Sequence, residues 1–145
     1  MSERPGTDPF DLERFVEAQA GGTYERALSE LLAGRKQSHW MWFVFPQVAG
    51  LGSSEMSVRY ALSGEDEARA YWAHDVLGGR YEECCAAIDG LGDVSVVEVL
   101  GTVDARKLHS SLTLFAAVAQ PSITIEKLLS RHFDGDRDAA TTALL

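Results

Sequence analysis

The sequence is organised around SHWMWFVFPQ, residues 38–47. This block holds two of the three tryptophans and two of the six phenylalanines of the 145-residue chain. A segment this apolar must be mostly buried, so it predicts part of the hydrophobic core. Polar groups border it: the basic pair Arg35-Lys36 precedes it, His39 lies near its start and Gln47 ends it. Polar groups beside a buried aromatic segment predict one wall of a pocket.

On both sides of this block the sequence carries helical signals. Apolar residues between Thr23 and Gly34 recur at the three- and four-residue spacing of an amphipathic helix. The same spacing links Leu108, Leu112 and Phe115, which predicts a long helix. Strand alternation and hairpin turns are nearly absent from the sequence. These patterns predict an all-α fold, a single compact domain of roughly seven to nine short helices.

The domain organisation follows from where the helical pattern starts and stops. We predict one helical domain over residues 8–135, an N-terminal tail over residues 1–7 and a C-terminal turn or tail over residues 136–145. Within residues 39–47 periodicity does not separate a helix from an extended segment, because nearly every position is apolar. Ser38 as a cap and Pro46 as a terminator favour a short helix there.

Composition and charge exclude several classes of function. The formal net charge of −9 and the pI near 4.8 argue against binding duplex nucleic acid or anionic membranes, which need a basic face. No apolar stretch reaches transmembrane length and no secretory signal begins the chain, so we predict a soluble, cytoplasmic protein. The two cysteines, Cys84 and Cys85, are adjacent and favour small buried side chains over a disulfide framework. The sequence predicts neither a metal site nor a cofactor.

The first group of candidate site residues surrounds the aromatic block. It comprises Lys36, His39, Trp40, Trp42 and Gln47. Cations beside indole rings can hold an anionic, nucleotide-like molecule, with a ring stacking and the cations contacting the charge. His39 can act as an acid or base near neutral pH. The alternative is a core segment whose polar ends are solvated or cap neighbouring helices.

The second group lies at the start of the long helix and comprises Asp104, Lys107, Ser110 and Ser111. On a helix Asp104, Lys107 and Ser111 share one face. A lysine beside a serine can activate the hydroxyl for nucleophilic attack. In the alternative interpretation Asp104 and Lys107 form a surface ion pair, and the hydroxyls bond to helix carbonyls.

Four strings of the sequence carry a family resemblance. They are Arg14-Phe15-Val16-Glu17-Ala18-Gln19, the stretch from Gly34 to Gln47, Gly50-Leu51-Gly52-Ser53-Ser54, and the stretch from Gly101 to Phe115. With these strings the chain resembles a bacterial family catalogued as domain of unknown function 1810. The resemblance implies an all-helical single domain without an established activity. The calpastatin label sometimes given to the family does not carry over, since nothing here looks like a disordered inhibitor repeat.

Both candidate groups coincide with the strings that carry the resemblance. We therefore expect them to converge on one solvent-accessible pocket for a small anionic ligand. In that pocket Lys36 and Lys107 would contact the charge, Trp40 or Trp42 would stack, and His39 with Asp104 would exchange a proton. An enzyme that handles NAD or ADP-ribose is one concrete version. The alternative is a non-enzymatic protein-interaction module with a structural polar core; the sequence names no protein partner for it.

Overall fold

The structure, a computed structural model, describes residues 8–119 and 122–145. The predicted tail at residues 1–7 lies outside these described ranges. Over the described residues the chain forms ten helices and no strand. In chain order they are α1 (Glu13–Gln19), α2 (Thr23–Leu32), α3 (Met41–Val44), α4 (Glu55–Arg59), α5 (Glu65–Ala73), α6 (Leu77–Asp89), α7 (Val96–Leu100), α8 (Thr102–Val118), α9 (Ile123–Phe133) and α10 (Ala139–Ala143).

Helix α8 is the central element of the fold. It packs against α5, α7, α9 and α10. Every residue from Ser110 to Phe115 is buried, so this stretch of the helix has no solvent-facing side. A helix that is covered all round lies inside a domain rather than at its surface. The predicted all-α fold and the long helix over this region are confirmed.

The number of helices is higher than the predicted seven to nine. Residues 136–145, predicted as a C-terminal turn or tail, include helix α10, which packs on α8. The carboxylate of Asp138 accepts hydrogen bonds from the backbone N–H of Thr141 at 3.1 Å and from its hydroxyl at 2.6 Å. Thr141 is fully buried. A cap and a buried side chain stabilise a helix that is too short to be evident from periodicity.

The aromatic block enters the core through the short helix α3. The short helix predicted before Pro46 is therefore present, but Ser38 does not cap it. The helix begins after Trp40, and the Ser38 hydroxyl instead donates to Glu30 at 2.6 Å. The ring of Phe45 lies 5.4 Å from that of Tyr81, which in turn lies 4.4 Å from Phe115 of α8. The block is thus joined to the central helix by aromatic packing.

Arg14 fastens α1 to the segment that contains α4 and the start of α5. Its guanidinium pairs with the buried carboxylate of Glu67 at 2.9 Å. It also donates to backbone carbonyls of two segments, Phe10 and Asp11 just before α1, and Arg59 and Ala61 at the end of α4 and just after it. A planar cation with several fixed donors suits this arrangement, which a lysine would not reproduce.

A single glycine sets the direction of the chain between α7 and α8. Gly101 has a φ of 90°, a left-handed conformation that side-chain-bearing residues rarely adopt. The turn lays the first residues of α8 beside the end of α7. There the carbonyl of Val99 accepts a hydrogen bond from the backbone N–H of Lys36 at 2.8 Å. The α2–α3 loop is thereby brought next to the start of α8.

Cys84 and Cys85 are unbonded and buried on α6, as predicted. Burial raises the pKa of the Cys84 thiol to about 12 and that of Cys85 well above its usual range. Such thiols are unreactive core groups. Among the described residues no group of three or more His, Cys, Asp or Glu side chains is arranged to hold a metal ion. Within the same residues, no helix has both the length and the apolar character needed to cross a membrane.

Candidate functional site

The loop between α2 and α3 is held in place by one carboxylate, that of Glu30. Glu30 accepts hydrogen bonds from four groups of this loop. The donors and distances are Gln37 N–H at 2.8 Å, Ser38 N–H at 3.1 Å, the Ser38 hydroxyl at 2.6 Å and the Trp40 indole N–H at 2.9 Å. The segment that carries Lys36 therefore has a defined path.

These hydrogen bonds also decide the charge of Glu30. Burial alone would raise the pKa of the carboxyl, but the donors from Ser38, Gln37 and Trp40 lower it to about 2. Glu30 is not among the site residues that the sequence predicts. Neither a capping box nor a charge pair marks it, because its partners lie in a loop of irregular conformation rather than at a helical spacing.

Lys36, Asp104 and Lys107 form one ion cluster. The Nζ atom of Lys36 lies 3.0 Å from Oδ2 of Asp104, and that of Lys107 lies 3.8 Å from Oδ1. Helix α8 supplies Asp104 and Lys107 one turn apart, so both project from the same face. The side chains are 9%, 17% and 22% exposed for Lys36, Asp104 and Lys107 respectively. The cluster is thus largely, but not fully, removed from solvent.

Each lysine of this cluster also lies over a tryptophan ring. The Lys36 ammonium is 5.2 Å from the centroid of Trp40, and the Lys107 ammonium is 5.3 Å from that of Trp42. Both distances fall within the range of a cation–π interaction. Trp40 is buried and Trp42 is half-buried. We call these five residues the two-lysine site, which comprises Lys36, Trp40, Trp42, Asp104 and Lys107.

Two predicted site residues, His39 and Gln47, are not part of the two-lysine site. His39 is exposed and Gln47 is half-buried. In the described parts of the chain no hydrogen bond or ion pair joins the side chain of either residue to the site, and none joins His39 to Asp104. The backbone carbonyl of Gln47 accepts from Leu62 N–H at 2.9 Å, next to an isolated bridge between Val48 and Leu62.

Ser110 and Ser111 point to other parts of the core. The Ser111 hydroxyl lies 2.9 Å from the hydroxyl of Tyr81 on α6, and Ser111 is fully buried. The Ser110 hydroxyl donates to the carbonyl of Arg106 at 3.2 Å and to Asp138 at 3.1 Å. The bond from Ser110 to Arg106 agrees with the alternative in which hydroxyls of this helix bond to helix carbonyls, whereas the Ser111 hydroxyl pairs with a side chain of another helix.

Chemically, the two-lysine site combines cations with an accessible aromatic surface. Its two ammonium groups face one carboxylate, which leaves one positive charge in surplus among these three residues. Lys107 is outside hydrogen-bond distance of Asp104 and is the more exposed of the two lysines. Half-buried Trp42 lies below it. Such a combination can bind a small anion that carries a flat ring.

Comparison with known proteins gives a consistent family assignment. The profile of the family described as protein of unknown function (DUF1810) matches residues 9–145. The chain is also similar to a conserved hypothetical protein, Rv1873, from Mycobacterium tuberculosis, known from a crystal structure. The two are 48% identical with a TM-score of 0.92, over 95% of this chain and 98% of that one. No match was found among curated proteins. The chain therefore belongs to the DUF1810 family of proteins of unknown function.

Proposed function

We propose that the protein binds a small anionic, nucleotide-like ligand at the two-lysine site. The observation that carries the proposal is the placement of two ammonium groups, from segments far apart in the chain, around Asp104 and over two tryptophan rings. Burying charged groups costs free energy, and a helical domain can form its hydrophobic core without burying them. A ligand that uses these charges gives a reason for the arrangement.

Within this site the two tryptophans have different roles. Trp40 is 1% exposed and its indole N–H is occupied by Glu30, so a ligand ring has no access to it. Trp42 is half-buried and remains reachable. The sequence predicts that either Trp40 or Trp42 stacks on a ligand ring, and we assign the stacking role to Trp42.

The proposal is limited to binding. The idea that His39 and Asp104 exchange a proton stays a prediction, since no hydrogen bond links them in the described structure and Asp104 faces two lysines. An activity on NAD or ADP-ribose likewise stays a prediction. The geometry that supports binding does not itself contain a paired acid and base at the site.

Thermal denaturation in the presence of candidate ligands tests this function. We expect at least one compound among common nucleotides and ADP-ribose derivatives to raise the melting temperature, by about 5–10 °C at a concentration 100-fold above its dissociation constant. Replacing Lys107 by Gln should remove the shift. Replacing Lys127 by Gln should leave it, because that lysine is 59% exposed and pairs with Asp89, at 4.0 Å, rather than with Asp104.

The opposite result would favour the alternative function. If no nucleotide or ADP-ribose derivative shifts the melting temperature of the folded protein, ligand binding at this site is wrong. The same holds if the shift persists in Lys107→Gln. The protein-interaction module would then be the better explanation of the acidic surface.

A further inference from the structure

We infer that the two-lysine site selects ligands with a single negative charge, and that Lys107 and Trp42 make the contact while Lys36 and Trp40 support it from within. The inference rests on the proposed function and deepens it by naming the ligand class. That class is a monoanion, either a carboxylate or a phosphodiester, attached to a flat ring.

The inner half of the site is committed to contacts within the protein. The Lys36 ammonium lies 3.0 Å from Asp104, and its side chain is only 9% exposed. Below it lies buried Trp40, whose N–H is bonded to Glu30. The charge of Lys36 is therefore matched by Asp104 before any ligand arrives.

The outer half of the site retains binding capacity. The Lys107 ammonium lies 3.8 Å from Asp104, beyond hydrogen-bond distance, and its side chain is 22% exposed. Among the described residues the Lys107 ammonium donates no hydrogen bond. An ammonium group has three donors. Since Trp42 lies directly beneath it, an anion on Lys107 would hold an attached ring against that indole.

The charges around the site decide how much negative charge a ligand can bring. The two ammonium groups of Lys36 and Lys107 are opposed by one carboxylate, that of Asp104, at 3.0 and 3.8 Å, so one positive charge is in surplus among these three residues. A monoanion is matched by Lys107. The second charge of a dianion would find no further cation among these three residues and would be repelled by the carboxylate of Asp104.

Two series of ligands with matched rings test this class. The first is adenosine, cyclic AMP and AMP, which carry zero, one and two negative charges at about pH 8, above the second phosphate pKa near 6. The second is nicotinamide, nicotinate and quinolinate, with the same progression on a pyridine ring. Dissociation constants are measured by calorimetry with the whole protein and with the variants Lys107→Gln and Lys127→Gln. Circular dichroism confirms that both variants are folded.

We expect the monoanion of at least one series to bind about tenfold more tightly than its neutral and dianionic relatives. Lys107→Gln should lose this preference and Lys127→Gln should keep it. Acidification offers an internal control, because AMP becomes a monoanion below about pH 6 while cyclic AMP keeps its charge. The affinity for AMP should then approach that for cyclic AMP.

The outcomes separate the two proposals. If a dianion binds as tightly as its monoanion, and Lys107→Gln still abolishes binding, the charge class is wrong while the proposed function stands. Equal binding of the neutral compound also overturns the inference. If no member of either series binds, the inference is wrong, while the proposed function is decided separately by the thermal denaturation screen of nucleotides and ADP-ribose derivatives.

Discussion

The ammonium group of Lys36 lies 3.0 Å from Oδ2 of Asp104, although the residues belong to a loop before α3 and to the first turn of α8. The contact connects two polar strings that the sequence keeps far apart. It is strengthened by the neighbouring backbone bond from Lys36 to Val99. The stability of the fold should therefore depend on this pair.

Replacing Lys36 by Gln should lower the free energy of unfolding by about 1–3 kcal/mol, because Asp104 loses its closer cation while remaining largely buried. Urea denaturation measures the change. The double variant Lys36→Gln/Asp104→Asn should lose less than the sum of the single variants, since the charge left unpaired is then removed too. Strict additivity would contradict the coupling.

Replacing Glu30 by Ala should release the α2–α3 loop. Four hydrogen bonds to one carboxylate are lost, so we expect a decrease of about 2–3 kcal/mol in the free energy of unfolding. Tryptophan emission should move to longer wavelength as water reaches the Trp40 indole. Glu25→Ala on the same helix is the matched control, because Glu25 is exposed. Unchanged emission in the Glu30 variant would argue against its role in the loop.

Replacing Ser111 by Ala should reduce stability and leave ligand affinity unchanged. The Tyr81 hydroxyl, buried on α6, would lose the partner that lies 2.9 Å away, at a cost of about 1–3 kcal/mol. Ser110→Ala should cost about 1 kcal/mol, since it removes the hydroxyl that is shared between the carbonyl of Arg106 and the carboxylate of Asp138. A loss of affinity without a loss of stability would instead return these serines to the ligand site.

Acid should destabilise the fold through His132 on α9. Burial, aided by the charge of Arg131, lowers the pKa of His132, and among the described residues its Nε2 atom has no hydrogen-bond partner. The unfolded histidine has a pKa near 6.5. Below about pH 6.5 the unfolded chain therefore binds a proton before the folded chain does, and the free energy of unfolding falls until the pH reaches the lowered pKa.

Urea denaturation at several values between about pH 5 and pH 7.5 measures this contribution. His132→Gln should flatten the pH dependence in this range. His39→Gln should retain it, because His39 lies exposed in the α2–α3 loop. A pH profile that is the same with and without His132 would show that other groups cause the acid sensitivity.

Much of the fold could be predicted from local sequence. The long helix could be identified from the spacing of Leu108, Leu112 and Phe115, because a helix that buries one side carries apolar residues at every third or fourth position. The cap of α7 could also be read from the sequence, because Ser95 directly precedes the apolar residues of that helix and Glu98 follows three residues later. In the structure the Ser95 hydroxyl accepts the Val97 N–H at 3.1 Å. Helix α10 could not be predicted from the sequence, because its stability depends on the burial of Thr141 where α10 packs on α8.

Part of the candidate site could be predicted in the same way. The residue types and the one-turn spacing of Asp104 and Lys107 follow from the helix, so their common face was foreseeable. The role of Ser38 could not be predicted. Its hydroxyl could cap a helix N–H or bond to another side chain, and in the structure it donates to Glu30. Local hydrogen-bond competition of this kind is settled by the path of the loop.

The amino-acid sequence by itself determined that the chain is helical, which segments are buried and which polar groups border them, since these depend on the spacing of neighbours. Only the tertiary structure decided that Lys36 meets Asp104, that Trp40 is sealed while Trp42 stays accessible, and that Ser110 and Ser111 face the core. Contacts between distant segments depend on how the helices pack and on the turn at Gly101. No local pattern of residues encodes that geometry.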